Sequence, residues 1–235
     1  MLEAPCPQCG APLHFRSIGL PIIVCDYCRS TVMRTGSRLN ITGRSDGVPE
    51  AASPLQIGVT GQADGQEFTL VGRIRWLWGT ENGSPAQGCW TEWLMLFADS
   101  RFGWLAEAGG RLLFSRRSDI SPNNGVLGRL RDGGSIKPRH QCIIDGERYS
   151  VTDARFATSA GCDGEIPFAA PPGTRIFSVD LTGHKGGFAS FQRHDNQIET
   201  YLGRPVRLAD LMLRGLRPVP GWPTPAWAAA GTLAA

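Results

Sequence analysis

No stretch of this chain approaches the roughly 18 to 20 consecutive apolar residues that a helix needs to cross a bilayer. The opening MLEAPCPQC has no basic segment followed by an apolar one, so it does not read as a secretory signal. A cytoplasmic protein is the expectation. Charge imbalance is also missing: 24 basic against 21 acidic residues leave a net +3, too little to argue by itself for a nucleic-acid or membrane partner. There is no G-x-S-x-G, no HExxH, no P-loop, and no G-x-G-x-x-G placed between a strand and a helix. GHKGGF lacks the length of a P-loop and its Ser or Thr. These gaps remove the familiar hydrolase, metalloprotease and nucleotide-binding motifs and weigh against an enzyme, though not against a new one. Charged residues are somewhat sparse at 19%, whereas 30 Gly and 17 Pro are many for 235 residues. Frequent turn residues between short apolar runs favour a β-rich chain.

What stands out is cysteine at metal spacing. Cys6 and Cys9 form one C-x2-C, and Cys25 and Cys28 form a second after fifteen intervening residues. Seven cysteines are an odd number, and four of them have ligand spacing rather than a disulfide framework. Gly10 can take the positive φ of the tight turn after Cys9. The short apolar runs LHF and LPIIV suit hairpin strands that bring the pairs together. Residues 4 to 35 thus resemble a zinc ribbon. Four thiolates close the coordination sphere, so one structural Zn2+ per chain is expected, with Cys6, Cys9, Cys25 and Cys28 as ligands. Arg16, Arg29 and Arg34 against Glu3 and Asp26 give the ribbon a net +1, a thin footprint for phosphate. Its outer face around His14, Phe15 and Arg16 is the expected docking surface for a protein.

Residues 36–54 read as a linker, rich in Gly, Ser, Pro and charge. The body follows over 55–214. In EFTLVGRIRWLW, Phe68, Leu70, Ile74, Trp76 and Trp78 share one parity while Thr69, Arg73 and Arg75 take the other, which predicts a half-buried strand. WTEWLMLFAD is apolar on both faces, and FGWLAEAGGRLLFSR predicts two strands about a Gly-Gly turn. SPNNGVLGRLRDGGS reads as a loop. DGQEFTLVGRI at 64–74 aligns without gaps on DGERYSVTDAR at 145–155, an offset of 81, and FGWLAE at 102–107 is echoed more weakly by GFASFQ at 187–192. Two small β units, over 55–118 and 136–203, are therefore expected. A common hairpin start would account for the echo equally well. GRPVRLADLMLRG predicts one short C-terminal helix, with Pro205 at its first position and Gly215 at its cap. Residues 215–235 form a Pro- and Ala-rich tail carrying Trp222 and Trp227.

WTEWLMLFADSRFGWLAEAGGRLLF, GEIP at 164–167 and FASFQRHDNQIETYLGRPVRLADL resemble the bacterial domain of unknown function 4178 (DUF4178), over roughly 55–214. Proteins of that family commonly carry an N-terminal four-cysteine ribbon. The loop TENGSPAQGC and the tail from 215 fall outside the resemblance. It implies a cytosolic accessory factor of a membrane-stress or membrane-remodelling system, among proteins that include polyamine-synthesis-like enzymes. It also marks Glu165 above Asp163, without giving it a role.

Candidate catalytic residues are few. Asp163 and Glu165, beside Cys162 in GCDGEIPF, could serve as acid and base or hold a cation or polyamine. The plainer reading is a turn at Asp-Gly and a carboxylate that pairs with an arginine or backbone N–H groups. His140 and Cys142 would share a strand face, with His184 and His194 elsewhere, but no spacing supports a second metal site, and Cys89 is equally isolated. Trp76, Trp78, Trp90, Trp93 and Trp104 interleave with Arg73, Arg75 and Arg101 and could stack nucleic-acid bases or meet a protein. Opposite strand parities of Trp and Arg favour an aromatic core instead. The expectation is a mainly β body of small barrel or sandwich units behind a zinc ribbon, acting as a non-enzymatic binding or adaptor protein with a protein partner. The alternatives are a nucleic-acid-binding ribbon protein, and an enzyme or polyamine binder using the Asp163/Glu165 loop.

Overall fold

Asp64 and Asp145 both sit at positive φ, 51° and 49°, and each is followed by a glycine at 73° or 78°. Such Asp-Gly turns match the right-handed twist of flanking strands. In the computed structural model, which describes residues 2–45, 48, 53–80, 83–121, 125–195 and 197–219, each turn launches a long strand. The first joins β6 (Thr60–Ala63) to β7 (Gln66–Trp78), followed by β8 (Gly88–Phe97), β9 (Phe102–Ala108) and β10 (Arg111–Arg117). The second joins β11 (Gln141–Ile144) to β12 (Glu147–Ile166), followed by β13 (Arg175–Gly183), β14 (Phe188–His194) and β15 (Gln197–Val206). Each set is an antiparallel meander. β10 pairs with β15 and β12 with β7, which closes the two meanders into one eight-stranded barrel.

Both long strands carry a bulge. The register of β7 shifts between Leu70 and Gly72, and that of β12 between Val151 and Asp153, again 81 positions apart. A bulge reverses which face later side chains take. Phe68 and Leu70 accordingly pack outside, whereas Ile74 and Trp76 point into the barrel with Leu94, Trp104, Ala157, Ile176 and Tyr201. The single inward row read from parity is therefore split at Val71. Arg73 lies outside, over the Trp93 ring at 5.4 Å.

Two further cores coat the barrel. Trp93, Met95, Phe97, Leu105 and Phe114 pack under Leu55, Val59, Leu211 and Leu213. Val179, Leu181, Ala189 and Phe191 are covered by β11 and by α1 (Gly125–Arg131), whose Val126, Leu127 and Leu130 are buried. That helix stands where glycines predicted only loop. The expected C-terminal helix is reduced to a 3-10 turn at Leu208–Leu211, because Gln197–Val206 continues as β15 and Met212 already turns left-handed at φ 46°. Pro205 therefore lies in a strand opposite Leu113, not at a helix start.

The N-terminal segment comprises β1 (Leu2–Pro5), β2 (Pro12–Phe15), β3 (Ile22–Val24), β4 (Ser30–Thr35) and β5 (Arg38–Arg44). β5 occupies part of the stretch read as linker. β3 adds to β12 through Ile22↔Ile166 and Ile23↔Glu165, so β3, β4 and β5 extend the barrel sheet, while β1 and β2 form a separate two-stranded sheet. Leu20, Ile22 and Val24 enter the barrel core itself and close one end of it. Trp222 and Trp227 lie outside the described residues.

Candidate functional site

The cysteine pairs occupy two matching turns. Cys6 N–H donates to Ala11 C=O and Gly10 N–H to Cys6 C=O, at 2.8 and 2.9 Å. Cys25 N–H donates to Ser30 C=O and Arg29 N–H to Cys25 C=O, both at 2.9 Å. Gly10 and Arg29 take φ 75° and 62°, so the same left-handed step follows each pair. The four sulfurs lie within 4.8 Å of one another. Cys6 Sγ is 3.7 Å from Cys28 Sγ, and Cys9 Sγ is 3.8 Å from Cys25 Sγ. A tetrahedron with metal–sulfur bonds of about 2.3 Å has edges of about 3.8 Å, so the set fits one metal ion. Ser30 Oγ lies 3.3 Å from Cys28 Sγ and this contact holds the Cys28 thiol down to about 6, whereas Cys9, against the downward pull of the Ala11 backbone, is pushed up to about 12 by desolvation and the neighbouring sulfurs, and burial raises Cys25. Among the described residues these four form the one group of three or more metal-type side chains placed to share an ion. Cys142 is buried in the apolar layer under α1, while His140 accepts the Lys137 N–H at 3.3 Å. His184 is exposed, His194 rests 6.2 Å from the Phe168 ring, and Cys89 is exposed beside Arg75.

Asp163 and Glu165 lie in the seam between ribbon and barrel. Glu165 is fully buried and accepts the Arg16 N–H on both carboxylate oxygens, at 2.8 and 2.9 Å, and the Ser17 N–H at 3.1 Å. Burial pushes its carboxyl above the usual range, against the downward pull of those N–H groups. Asp163 pairs with Arg29 from the ribbon and Arg73 from β7, the latter at 2.8 Å. Ser45 Oγ donates to Cys162 C=O at 2.7 Å and accepts the Cys162 N–H at 3.1 Å. These groups saturate one another, which is what a joint requires. The proposed docking face is partly used internally: Phe15 is buried under Arg34 and the Arg16 N–H is held by Glu165, while the His14 and Arg16 side chains remain exposed.

The opposite end of the barrel is open. A cavity of about 900 Å3 runs inward from a rim that includes Arg111, Phe188 and Arg207. Trp78, Trp90, Trp104 and Tyr201 wall it, with Ser178, Ser190 and Gln192. Trp76 and Trp93 are wholly buried, so the indoles are core and lumen wall rather than an outer stacking platform. Glu92 sits deep in the lumen, accepting the Trp76 indole N–H at 2.9 Å, the Trp90 indole N–H at 3.1 Å and the Gln192 amide at 3.1 Å. Burial raises its carboxyl. Asp180 accepts the Ser190 hydroxyl at 2.8 Å, and desolvation, with Asp153 and Glu92 nearby, pushes it up to about 6. Sequence reasoning passed over both acids. The signal available was a lone carboxylate in each of two otherwise apolar strands, WTEWLML and FSVDL.

Eight-stranded barrels of this kind hold a small ligand in the lumen or fill it with side chains; here the inner end is filled and the outer end is not. No helix among the described residues is long and apolar enough to cross a membrane. No curated protein and no solved structure matches the chain. Residues 56–208, from the loop before β6 to the start of the C-terminal turn, match the family described as Domain of unknown function (DUF4178), and the chain belongs to that family.

Proposed function

We propose that this protein is a non-enzymatic binding module: a barrel cup, stoppered at one end by a zinc ribbon, that takes up a small molecule at the other. The observation that carries the reading is the open lumen of about 900 Å3, with polar groups converging inside aromatic walls. The ribbon's metal is assigned as zinc because four thiolates in a closed tetrahedron suit a soft, redox-inert ion and leave no position for chemistry. The saturated bonds of Asp163 and Glu165 support a structural role for that loop rather than a catalytic one. As the setting we propose a bacterial cytoplasmic accessory in a membrane-stress system, where a ligand-loaded barrel would act as an adaptor toward a protein partner. We read β6–β10 and β11–β15 as a duplicated unit, supported by the two Asp-Gly turns and the two bulges at one offset.

The test compares the full chain with Ala106→Phe, a variant that fills the lumen from β9. Metal analysis is expected to give one zinc per chain in both. A small-molecule library screened by thermal shift is expected to yield ligands that stabilise the native chain and not the variant. Ligands that act equally on both, or a salt-sensitive retention on oligonucleotides in place of any small-molecule effect, would overturn the cup reading.

A further inference from the structure

Among the charged side chains that line the lumen, the acidic and basic ones are not matched in depth. Arg111, Arg155 and Arg207 face Glu92, Asp153 and Asp180. Arg111 is exposed at the rim. Arg207 is engaged by Asp210 at 2.6 Å. Arg155 donates to Asp153 at 2.7 Å and covers the Trp78 ring at 4.2 Å. Glu92 and Asp180 remain, and their hydrogen-bond partners are neutral: two indoles, one amide and serine hydroxyls. Tyr201 donates to Glu199 at 2.6 Å, and that acid already has Arg117 at 3.2 Å.

Two carboxylates without a cationic partner among the described residues, set in an aromatic wall, are costly to an empty site. The same arrangement is what a positively charged guest requires. A carboxylate supplies the Coulombic partner, and an indole face attracts the cation through its quadrupole. An anion would meet two like charges, and a neutral guest would leave both acids uncompensated. Resting on the cup reading, we infer that the lumen binds a small organic amine, its ammonium seated at Glu92 and Asp180 and its carbon skeleton between Trp90 and Trp104. Donors on the ammonium suit the free oxygen sites of the two carboxylates. A bare metal ion fits less well, since indole walls offer it no ligands and the chamber is far larger than a single ion needs.

The experiment titrates the zinc-loaded full chain with hexylamine, hexamethylenediamine, hexanol and hexanoate, following indole fluorescence and thermal shift. The amines are expected to bind, with hexanol and hexanoate weaker by about tenfold or more. Asp180→Asn is expected to weaken amine binding by about tenfold, and Glu92→Gln with Asp180→Asn to abolish the preference for amine over alcohol. Asp180→Asn keeps the Ser190 contact and guards against a variant that fails to fold. Hexanoate or hexanol binding as tightly as hexylamine, with loss in Ala106→Phe, would overturn the amine assignment and leave the cup intact. No binding of any probe would overturn the amine assignment; binding that persists in Ala106→Phe would remove the cup as well.

Discussion

Glu165 on β12 holds the backbone of Arg16 with both carboxylate oxygens, joining positions 149 residues apart. A carboxylate used as a clamp and one used as a catalytic base respond differently to amide replacement. Glu165→Ala leaves the Arg16 and Ser17 N–H groups without partners and is expected to destabilise the chain by about 2–4 kcal/mol. Glu165→Gln, which keeps one acceptor oxygen, is expected to lose less. Urea unfolding and hydrogen exchange at the Arg16 amide report both. An unchanged midpoint in Glu165→Ala would contradict the clamp.

Metal removal is expected to act at a distance from the sulfurs. The ribbon has a small core, Cys6, Leu13, Phe15, Ile23, Cys25 and Val32, so an ion bound at the four cysteines is expected to supply much of its folding energy. Stripping it with a strong chelator should expose Leu20, Ile22 and Val24, and with them the inner end of the barrel. A dye that binds exposed apolar surface would brighten, and thermal stability would fall. Cys9→Ser should reproduce this. A chain that loses its metal with no change in either measurement would show that the ribbon folds without it.

The barrel closes at two seams where a side chain cannot be accommodated. A Cβ on Gly203 would collide with the Phe114 carbonyl across the β10–β15 seam, and one on Gly72 with the Glu165 carbonyl beside the β7–β12 seam. Backbone cannot step aside as a side chain can, so Gly203→Ala and Gly72→Ala are each expected to cost about 3 kcal/mol or more. Gly36, with open space around it, offers a control: Gly36→Ala is strained only by its φ of 61° and should cost about 1 kcal/mol. Circular dichroism melts would rank the three.

Asp180 gives the lumen a pH response. Its carboxyl titrates near 6 in the fold, above the ordinary 3.8. The groups facing it are Glu92 on β8, Asp153 on β12, Ser178 on its own strand and Ser190 on β14. A raised carboxyl favours the folded state while protonated, so this contribution is present below about pH 4 and is lost as pH rises through about 6. Relative to the native chain, Asp180→Asn should therefore gain stability over that window. Amine affinity should run the other way and rise about tenfold between about pH 5 and 7, because the site acquires its charge. Calorimetry at several pH values would test it; an affinity that is flat in the native chain, or equally steep in Asp180→Asn, would sink it.

Parts of this architecture were plain in the residues. Two C-x2-C pairs at ribbon spacing, with Gly10 after the first, encode the sulfur cluster locally. The Asp-Gly turns and the Gly109–Gly110 turn between β9 and β10 are local too, since positive φ has a residue signature. Other features were hidden because their causes are distant. The bulge at Val71 interrupts an unbroken alternation, and only the strand opposite it reveals the slip. Gly125–Arg131 looks like a loop because its glycines are weak helix formers, yet Val126, Leu127 and Leu130 find an apolar sheet face to cover. Glu165 carries no sign that its partners are backbone groups at positions 16 and 17. Glu92 and Asp180 become a pair only when the meanders close into a ring.

The stopper at the inner end also sets an order of events during synthesis. The ribbon leaves the ribosome before the strand edge that receives it, Glu165 and Ile166, has been made. In that interval Leu20, Ile22 and Val24 have no barrel to enter. An ion bound at the four cysteines would help to keep the head folded while it waits, and docking is then expected to be a late long-range step of assembly. Starving cells of metal should therefore lower the yield of the finished barrel, although the ion lies outside it.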